Sequence, residues 1–216
     1  MQQFPRACWG LLRNALAIIV AGWSVAQLVY ANPVCPTVVD GNASFSTQGN
    51  FLSVTNTPGA ILNRQSFSIG QGEIAKFIQQ SSASAVLNRV VGLDPSSILG
   101  VLQSNGRVFL INPNGIVFGQ GAQINVAGLV ASTLNLSNAE FLAGRLNYTD
   151  TPGAKGINNQ GNITTPAGGQ VYLVAPDINN SGVITSPHGD IILAVGNSVQ
   201  LVDPGTPNLR VEITAP

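Results

Sequence analysis

The sequence predicts an all-β protein, folded as a parallel β-helix whose coils are about 21 residues long. Three observations predict this fold: a composition rich in turn residues, an internal repeat with a strict offset, and apolar runs short enough to be strands. The 216 residues include 24 Gly, 13 Pro and 21 Asn, and only 8% are charged. An ordinary soluble domain has about 25% charged residues, whereas many short strands joined by tight turns require this kind of composition.

The charge balance argues against two classes of protein. Nine Lys and Arg stand against nine Asp and Glu, which leaves no field of clustered cations to release counterions from a nucleic-acid backbone. We therefore expect no nucleic-acid partner. The chain is also 44% hydrophobic, which is too apolar for an intrinsically disordered protein.

The N-terminal segment, residues 1–31, has the pattern of a secretory signal peptide. Arg6 and Arg13 precede an apolar stretch over residues 16–26, and the segment ends at Ala31 before Asn32. The alternative is a membrane anchor, but Gly, Trp, Ser and Gln interrupt the stretch, which falls short of the ~20 apolar residues needed to span a bilayer. We expect cleavage after Ala31, export through the periplasm and no stable membrane insertion.

The cysteines predict a chain without internal disulfides. Cys8 lies in the predicted signal peptide, so Cys35 is the only cysteine of the mature chain. Val34 precedes Cys35, whereas lipidation needs a small residue there. Cys35 is interpreted as having no role, with an intermolecular bond as the alternative, and the oligomeric state stays open.

An internal repeat predicts the coils. Residues 157–169 and 178–190 are identical at eight of thirteen positions, at an offset of 21. The apolar runs 171–174 and 192–195 keep that offset, and residues 106–113 match residues 169–176 at an offset of 63, which predicts three coils between them. The side chains expected to point inward are Ile157, Ile163, Val171 and Leu173, recurring as Ile178, Ile184, Ile192 and Ala194.

Stacked coils explain why the repeat has this chemistry. Each strand stacks on its equivalent in the next coil, Val, Ile and Leu point inward, and Asn, Ser, Thr and Gln are left for the outside. Asn158 and Asn159 above Asn179 and Asn180 form a candidate hydrogen-bonded ladder. An antiparallel sandwich or barrel is the competing fold, but it gives no reason for a strict offset.

The stretch 97–134 contains the most specific strings, in the order S-I-L-G, S-N-G-R-V-F-L, N-P-N-G-I-V-F-G and G-L-V-A-S-T-L. With Q-S-F-S-I-G at 65–70 and F-L-A-G at 141–144, they resemble the N-terminal secretion domain of the filamentous haemagglutinin family. Members of this family are the exported partners of Gram-negative two-partner secretion (TPS) systems. The resemblance covers roughly residues 38–203. Family members are usually far longer, and Arg64 and Gln65 stand where the family often has an aromatic residue.

The resemblance implies a right-handed parallel β-helix with an N-terminal β cap and extra strands outside the helix. It implies that residues 32–145 hold the cap and the secretion core, and that residues 146–216 continue the coils in the same structural domain. Residues 74–78 have helix-like spacing, and the resemblance favours a strand there. No cofactor is implied.

The implied partner is an outer-membrane β-barrel transporter with periplasmic recognition domains. The chain would pass through it unfolded and fold outside, and a β-helix suits this route because each coil contacts only its neighbours. The turn motif Asn112, Pro113, Asn114 and Gly115 is first a turn, since Pro fixes φ and Asn-Gly accepts positive φ. The resemblance implies that the transporter also recognises this motif.

The predicted function is that of an exported adhesin or exoprotein module without catalysis, which directs its own secretion and nucleates β-helix folding at the cell surface. A host-cell or surface glycan or protein receptor is left open. One alternative is an extracellular β-helix polysaccharide lyase or hydrolase, which would need two carboxyl groups about 5 to 9.5 Å apart. Asp177, Asp190 and Asp203 are spaced by 13, which places them at different points around a coil, and His188 is expected to be an exposed turn residue. The other alternative is a truncated remnant of a larger adhesin, and the uncapped C-terminal strand suggests downstream chain.

Overall fold

The computed structural model describes residue 33, residues 36–202 and residues 210–214. The predictions about the signal peptide, cleavage after Ala31, Cys35 and Asp203 concern residues outside this part. The described residues form twenty strands and one short helix: β1 Thr37–Asp40, β2 Ala43–Gln48, β3 Phe51–Asn56, β4 Ala60–Arg64, β5 Ile74–Ile78, β6 Ala85–Val90, β7 Ser96–Ile98, β8 Val101–Ile111, β9 Ile116–Phe118, β10 Gln123–Ser132, β11 Asn135–Leu136, α1 Asn138–Leu142, β12 Leu146–Thr149, β13 Ile157–Asn159, β14 Asn162–Thr164, β15 Gln170–Ala175, β16 Ile178–Asn180, β17 Val183–Thr185, β18 Asp190–Val195, β19 Ser198–Val202 and β20 Arg210–Thr214.

The coils stack as three parallel sheets, which we call faces A, B and C. Face A holds β4, β6, the second half of β8, the second half of β10, β15 and β18. Face B holds β3, β5, the first halves of β8 and β10, β14 and β17. Face C holds β7, β9, β13 and β16. The predicted parallel β-helix is confirmed, and residues 74–78 are a strand.

An N-terminal cap covers the first coil. Strand β1 pairs antiparallel with β4, and β2 pairs antiparallel with β3. These two strands occupy the backbone hydrogen-bonding edges that the first coil would otherwise expose to other chains. The predicted N-terminal cap is therefore present.

The interior of the solenoid is a continuous apolar stack. Val86, Val108, Leu129 and Val171 lie in one row of face A, each directly above the next, and all are fully buried. Burying each such side chain contributes about 1.5–3 kcal/mol relative to leaving it in water. The parallel register therefore places a buried aliphatic side chain at the same position of successive coils.

Face A is buried on its outer side as well, which the sequence analysis did not predict. The residues that alternate with the interior row along these strands point to the outer side and form a second apolar cluster. They are Ile61, Leu87, Phe109, Val130 and Tyr172. An antiparallel sheet of β11, β12, β19 and β20, together with α1, lies over this cluster. The expectation of a polar outer surface is therefore wrong for face A.

The covering layer contributes its own apolar side chains. The ring of Phe141 on α1 meets Phe109 edge to face, with the centroids 5.1 Å apart, and Tyr148, Val199 and Leu201 are buried beside them. A sheet with both faces buried has continuous apolar runs in place of alternating ones. The run V-F-L-I at 108–111 is such a segment.

Hydrogen bonds from Arg89 attach the covering layer to the solenoid. Its two terminal nitrogens donate to Asn138 Oδ1 at 2.6 Å and to the backbone oxygen of Leu136 at 2.5 Å. Ser137 caps the N-terminus of α1, and its hydroxyl accepts from the backbone N–H of Glu140 at 3.2 Å. The second coil therefore positions the start of the covering layer.

The predicted offset of 21 between stacked residues is confirmed on faces B and C. On face A the offset is 20. Ile157 stacks on Ile178 in face C, and Ile163 stacks on Ile184 in face B, as predicted. In face A, Val171 stacks on Ile191 and not on Ile192. The turn before β18 has four residues where the turn before β15 has five, so the later strand slips by one position. Ile192 and Ala194 consequently face the second cluster.

The offset of 63 does not correspond to three coils. Val108 stacks on Leu129, and Leu129 stacks on Val171, so two stacking steps separate residues that are 63 positions apart. The second step is long because residues 133–156 leave the solenoid to form β11, α1 and β12. The offset of 63 therefore includes residues 133–156, which build the covering layer and not a coil.

The predicted asparagine ladder is present at one of its two positions. Asn158 Oδ1 is buried with no hydrogen-bond partner among the described residues. Asn158 and Asn159 pair in register with Asn179 and Asn180, and Asn159 Nδ2 donates to Asn180 Oδ1 at 2.7 Å. Asn159 is fully buried, and its Oδ1 also accepts from the backbone N–H of Gly161 at 3.2 Å. The buried amide is thereby satisfied on both sides.

A buried arginine lies beneath the N-terminal cap. Arg64, which stands where the family often has an aromatic residue, is fully buried and donates from Nε to Asn88 Oδ1 at 2.9 Å. Its guanidinium carbon lies 5.5, 5.6 and 6.0 Å from the ring centroids of Phe45, Phe67 and Phe77. Burial lowers the pKa of Arg64 to about 9, and the three ring faces offset part of the cost of desolvation.

An Asp in place of Val171 should destabilise the fold far more than an Asp in place of Ile191. Val171 is fully buried, whereas Ile191, which stacks directly on it in the last described coil, is 44% exposed. We expect Val171→Asp to lower the free energy of unfolding by about 3–5 kcal/mol, because it buries an unpaired charge. We expect Ile191→Asp to cost about 1 kcal/mol. Urea unfolding followed by circular dichroism measures both, and equal losses would contradict the described stacking.

Because the Tyr148 hydroxyl is buried, we expect the protein to lose stability at alkaline pH. Burial, and to a smaller extent the neighbouring Tyr172, raise the pKa of the Tyr148 hydroxyl. Above about pH 10 the unfolded state ionises and the folded state does not, so stability falls as pH rises, by about 1.4 kcal/mol per pH unit. Tyr148→Phe should remove this slope. Its stability near neutral pH should change by less than about 1 kcal/mol, because the buried hydroxyl has no hydrogen-bond partner among the described residues.

The measurement is the difference between the two proteins in urea unfolding free energy at pH 7, 9, 10 and 11. Other groups that titrate in this range are present in both proteins and cancel in the difference. Parallel curves for the two proteins would show that Tyr148 does not carry the alkaline loss.

Candidate functional site

The candidate site is the turn 112–115, which joins β8 of face A to β9 of face C. The backbone N–H of Gly115 donates to the carbonyl of Asn112 at 3.2 Å and closes the turn. Gly115 has φ of +109°, and an added Cβ would lie 3.3 Å from Lys155 Cβ. The backbone angle therefore favours glycine at this position, and any larger residue would also have to displace the Lys155 side chain by a few tenths of an ångström.

The Asn112 side chain lies at the centre of the site and is fully buried. Its Nδ2 donates to the backbone oxygen of Asp94 and to Ser96 Oγ, both at 3.0 Å. Its Oδ1 accepts from the backbone N–H of Asn114 at 3.0 Å and from Asn114 Nδ2 at 3.1 Å. The Asn112 amide is therefore fully used by contacts within the protein.

Asn114 extends the same network. Its Nδ2 also donates to the backbone oxygen of Gly92 at 2.9 Å. An added Cβ on Gly92 would lie 2.1 Å from the backbone oxygen of Gln65, so this residue packs directly against the preceding coil. The two asparagines of the motif thus hold the segment 92–96 of the coil before them.

The other side of the turn is held by the chain that returns from the covering layer. The backbone N–H of Lys155 donates to the carbonyl of Pro113 at 2.9 Å, and that of Ile116 donates to Gly156 at 3.3 Å. The backbone N–H of Ser96 donates to the carbonyl of Gly115 at 2.9 Å. The motif therefore ties together three segments that are distant in sequence.

A groove of about 350 Å³ lies beside the turn. Its lining includes Pro95, Asn114, Lys155, Asn158, Asp177 and Asn179. Lys155 and Asp177 bring one cation and one carboxylate among amide side chains, which is a surface suited to hydrogen bonding. Among the residues that the structure describes, no group of three His, Cys, Asp or Glu could hold a metal ion.

The remaining sequence candidates lie apart from one another. His188 is exposed in the turn between β17 and β18, with φ of +52°, as predicted. Asp177 lies at the groove, whereas Asp190 begins β18 and pairs with Gln170 in face A. In the described part of the chain, no helix is long and apolar enough to cross a membrane.

The residue types of positions 112–115 predict the turn but not its hydrogen-bond partners. Asp94 and Gly92 lie 18 and 22 residues before the asparagines that bind them, which is about one coil. Applying the coil offset of 21 to residues 112–115 points to residues 91–94, which include Gly92 and Asp94. Ser96 carries no such signal, because a buried serine is indistinguishable in sequence from an exposed turn residue.

The chain is similar to a known protein family and to a solved structure. A family model described as TPS secretion domain matches residues 32–215. The crystal structure of the HMW1 secretion domain from Haemophilus influenzae matches with a TM-score of 0.81 and 38% identity, over 86% of this chain and 50% of that one. TPS secretion domains are not a known enzyme family.

Two curated relatives are heme/hemopexin-binding proteins of Haemophilus influenzae. One, from strain Rd, is 45% identical over 105 residues, which is 48% of this chain and 12% of the relative. The other is 48% identical over 77 residues, which is 36% of this chain and 8% of the relative. The matched part is therefore a small fraction of both relatives. With the family model covering the solenoid, its cap and its covering layer, the chain belongs to the TPS secretion domain family.

Proposed function

We propose that this chain directs the export of an exoprotein through a dedicated outer-membrane transporter and ends outside the cell or at its surface. The observation that carries the proposal is the match of residues 32–215 to the TPS secretion domain. TPS exoproteins are secreted across the outer membrane, and TPS domains work with an outer-membrane transporter as partner. Residues 1–31 would serve as the signal peptide that delivers the chain to the periplasm, with cleavage after Ala31.

The turn motif Asn112, Pro113, Asn114 and Gly115 contributes to recognition by the transporter in this proposal. Its support is the resemblance of the string N-P-N-G-I-V-F-G to the family pattern, together with the position of the turn at the meeting of three chain segments. In the unfolded chain the two asparagine amides would be available to the transporter, and in the folded domain they bond to neighbouring backbone. Recognition and a structural role of the turn are therefore compatible.

Residues 32–145 and 146–216 form one structural domain in this proposal. Strand β12, which begins just after position 145, pairs with β11 before the boundary and with β19 after it. The covering layer over face A thus takes strands from both parts. The family model also runs across the boundary without a break.

Folding of the exported chain would begin at the capped N-terminal end, at the cell surface. Each coil contacts its neighbours, so a coil can add to those already formed as the chain emerges. The cap of β1 and β2 supports this direction because these strands pair with β4 and β3 and need no later segment for that pairing.

For the complete exoprotein we propose adhesion to a surface as the activity. Heme or hemopexin binding is the second candidate, since both curated relatives carry that name. Binding assays on the complete exoprotein, with cultured cells in one arm and heme or hemopexin in the other, separate the two. Saturable binding in only one arm selects that candidate.

Replacing both motif asparagines should reduce secretion. We expect Asn112→Ala with Asn114→Ala to lower the amount of protein in the medium roughly tenfold, with signal cleavage intact and the mature chain retained in the periplasm. The physical reason is that the double variant removes both side-chain amides that the unfolded motif would present to the transporter. The measurement is immunoblotting of medium and periplasm from cells co-expressing the chain and its transporter.

The control is Asn159→Ala, which removes a fully buried asparagine with two side-chain hydrogen bonds, against the five that the double variant loses. Urea unfolding of both purified variants is therefore measured beside their secretion. Each lost buried hydrogen bond costs about 1–3 kcal/mol in either protein. A control that is secreted normally separates recognition from stability. Normal secretion of the double variant would leave the motif with a structural role alone. Release of the parent chain into the medium without the transporter would refute the proposed function.

A further inference from the structure

A buried arginine in the first coil lacks a counter-charge. Arg64 is fully buried, and its two terminal nitrogens have no hydrogen-bond partner among the described residues. Its side chain donates from Nε to Asn88 Oδ1, and it forms no ion pair with any residue that the structure describes. Burying a charge without an opposite charge opposes folding. An unsatisfied group of this kind inside a core calls for an explanation.

The coil geometry does not require a charge at this position. Arg64 pairs in parallel register with Val90 of the second coil, which is 3% exposed. Leu62, two residues before Arg64 on the same strand, is fully buried in the interior apolar core. An apolar side chain at position 64 would therefore continue the interior stack, with buried apolar surface in place of a buried charge.

The groups that offset the cost of burial come from separate segments of the chain. The guanidinium carbon lies 5.5, 5.6 and 6.0 Å from the centroids of three phenylalanine rings, and Nε bonds to one asparagine. These residues are Phe45 of β2, Phe67 between β4 and β5, Phe77 of β5 and Asn88 of β6. The guanidinium therefore has all of these contacts only when the cap and the first two coils come together.

This requirement sets a barrier to the first step of folding. Residues 45–88 have to assemble before the burial of Arg64 is compensated, and closing a longer segment costs more conformational entropy before contacts are gained. In the unfolded chain the guanidinium is hydrated and has no such cost. Burial lowers the pKa of Arg64 to about 9, so the folded interior holds the charged form less well than water does.

We propose that Arg64 delays folding of the N-terminal end, so that the chain is still unfolded when it reaches the transporter. A chain that folds in the periplasm cannot enter a pore that passes unfolded chain, and the capped first coils are where folding would begin. A buried charge in these coils opposes the earliest step. The delay needs no contact between Arg64 and the transporter. This inference rests on the transporter-dependent export proposed above.

Replacing Arg64 by methionine tests the proposal on the full chain. Methionine keeps a long unbranched side chain and removes the charge. We expect Arg64→Met to refold about tenfold faster than the parent chain, because an apolar side chain in place of a buried charge stabilises a core, and a gain within the folding nucleus speeds folding. Stopped-flow circular dichroism of the purified chain, diluted from urea, measures this rate.

The second measurement is secretion from cells that co-express the chain and its transporter. We expect the secreted amount of Arg64→Met to fall about fivefold, with protease-resistant chain accumulating in the periplasm, because folding then precedes delivery to the transporter. Val90→Met is the matched control. It places the same side chain at the position that stacks on Arg64 and changes no charge, so it should be secreted like the parent chain.

A double variant separates the folding rate from the identity of the side chain. Leu62→Ala leaves a cavity in the same strand and slows folding. Arg64→Met combined with Leu62→Ala should therefore return to the refolding rate and the secreted amount of the parent chain. Restored secretion without the arginine is the result that the proposal requires.

Refolding of Arg64→Met at the parent rate or slower would overturn this inference, since the arginine would then not delay folding. Faster refolding with normal secretion would also overturn it. A double variant that refolds like the parent chain but stays in the periplasm would show that export requires the arginine itself, which contradicts the proposal. These outcomes leave the proposed function standing, and that function fails if the parent chain reaches the medium without the transporter.

Discussion

Parallel stacking in register is the constraint on which the rest of this structure depends. Once one strand lies directly above its equivalent, each position of a coil has the same surroundings as the position above and below it. The row of Val86, Val108 and Leu129 shows the consequence for the interior. The row of Leu87, Phe109 and Val130 shows it for the outer side of face A. Alternate residues of one face thus build two separate apolar cores.

The architecture was predictable from the sequence because stacked coils repeat their residue types at a fixed offset. The match of residues 157–169 to 178–190 gave the coil length and the register of faces B and C. It failed on face A because one turn is a residue shorter, so identity and register no longer coincide between Val171 and Ile192. The second core was unpredictable from the repeat, since the layer that covers it lies outside the period.

The sequence predicted that residues 112–115 form a turn, but not the hydrogen bonds that their side chains make. Asn-Pro-Asn-Gly indicates tight backbone geometry by residue type alone. The burial of Asn112 and the identity of its partners depend on which segment lies one coil earlier, and that follows only from the register. Arg64 was noticed as a departure from the family pattern. That three phenylalanine rings would surround its guanidinium depends on the cap and the first two coils together.

The covering layer sets an order of events for a chain that is delivered from its N-terminus. Strand β12 lies between β11 and β19, and residues 198–202 of β19 come about fifty residues after β12. The interior core can close coil by coil, whereas the outer side of face A is covered only in part, by β11, α1 and β12, until β19 is added. In a domain of this kind the side of the solenoid is therefore completed last, when β19 pairs with β12 and covers residues that precede it by many positions in the sequence.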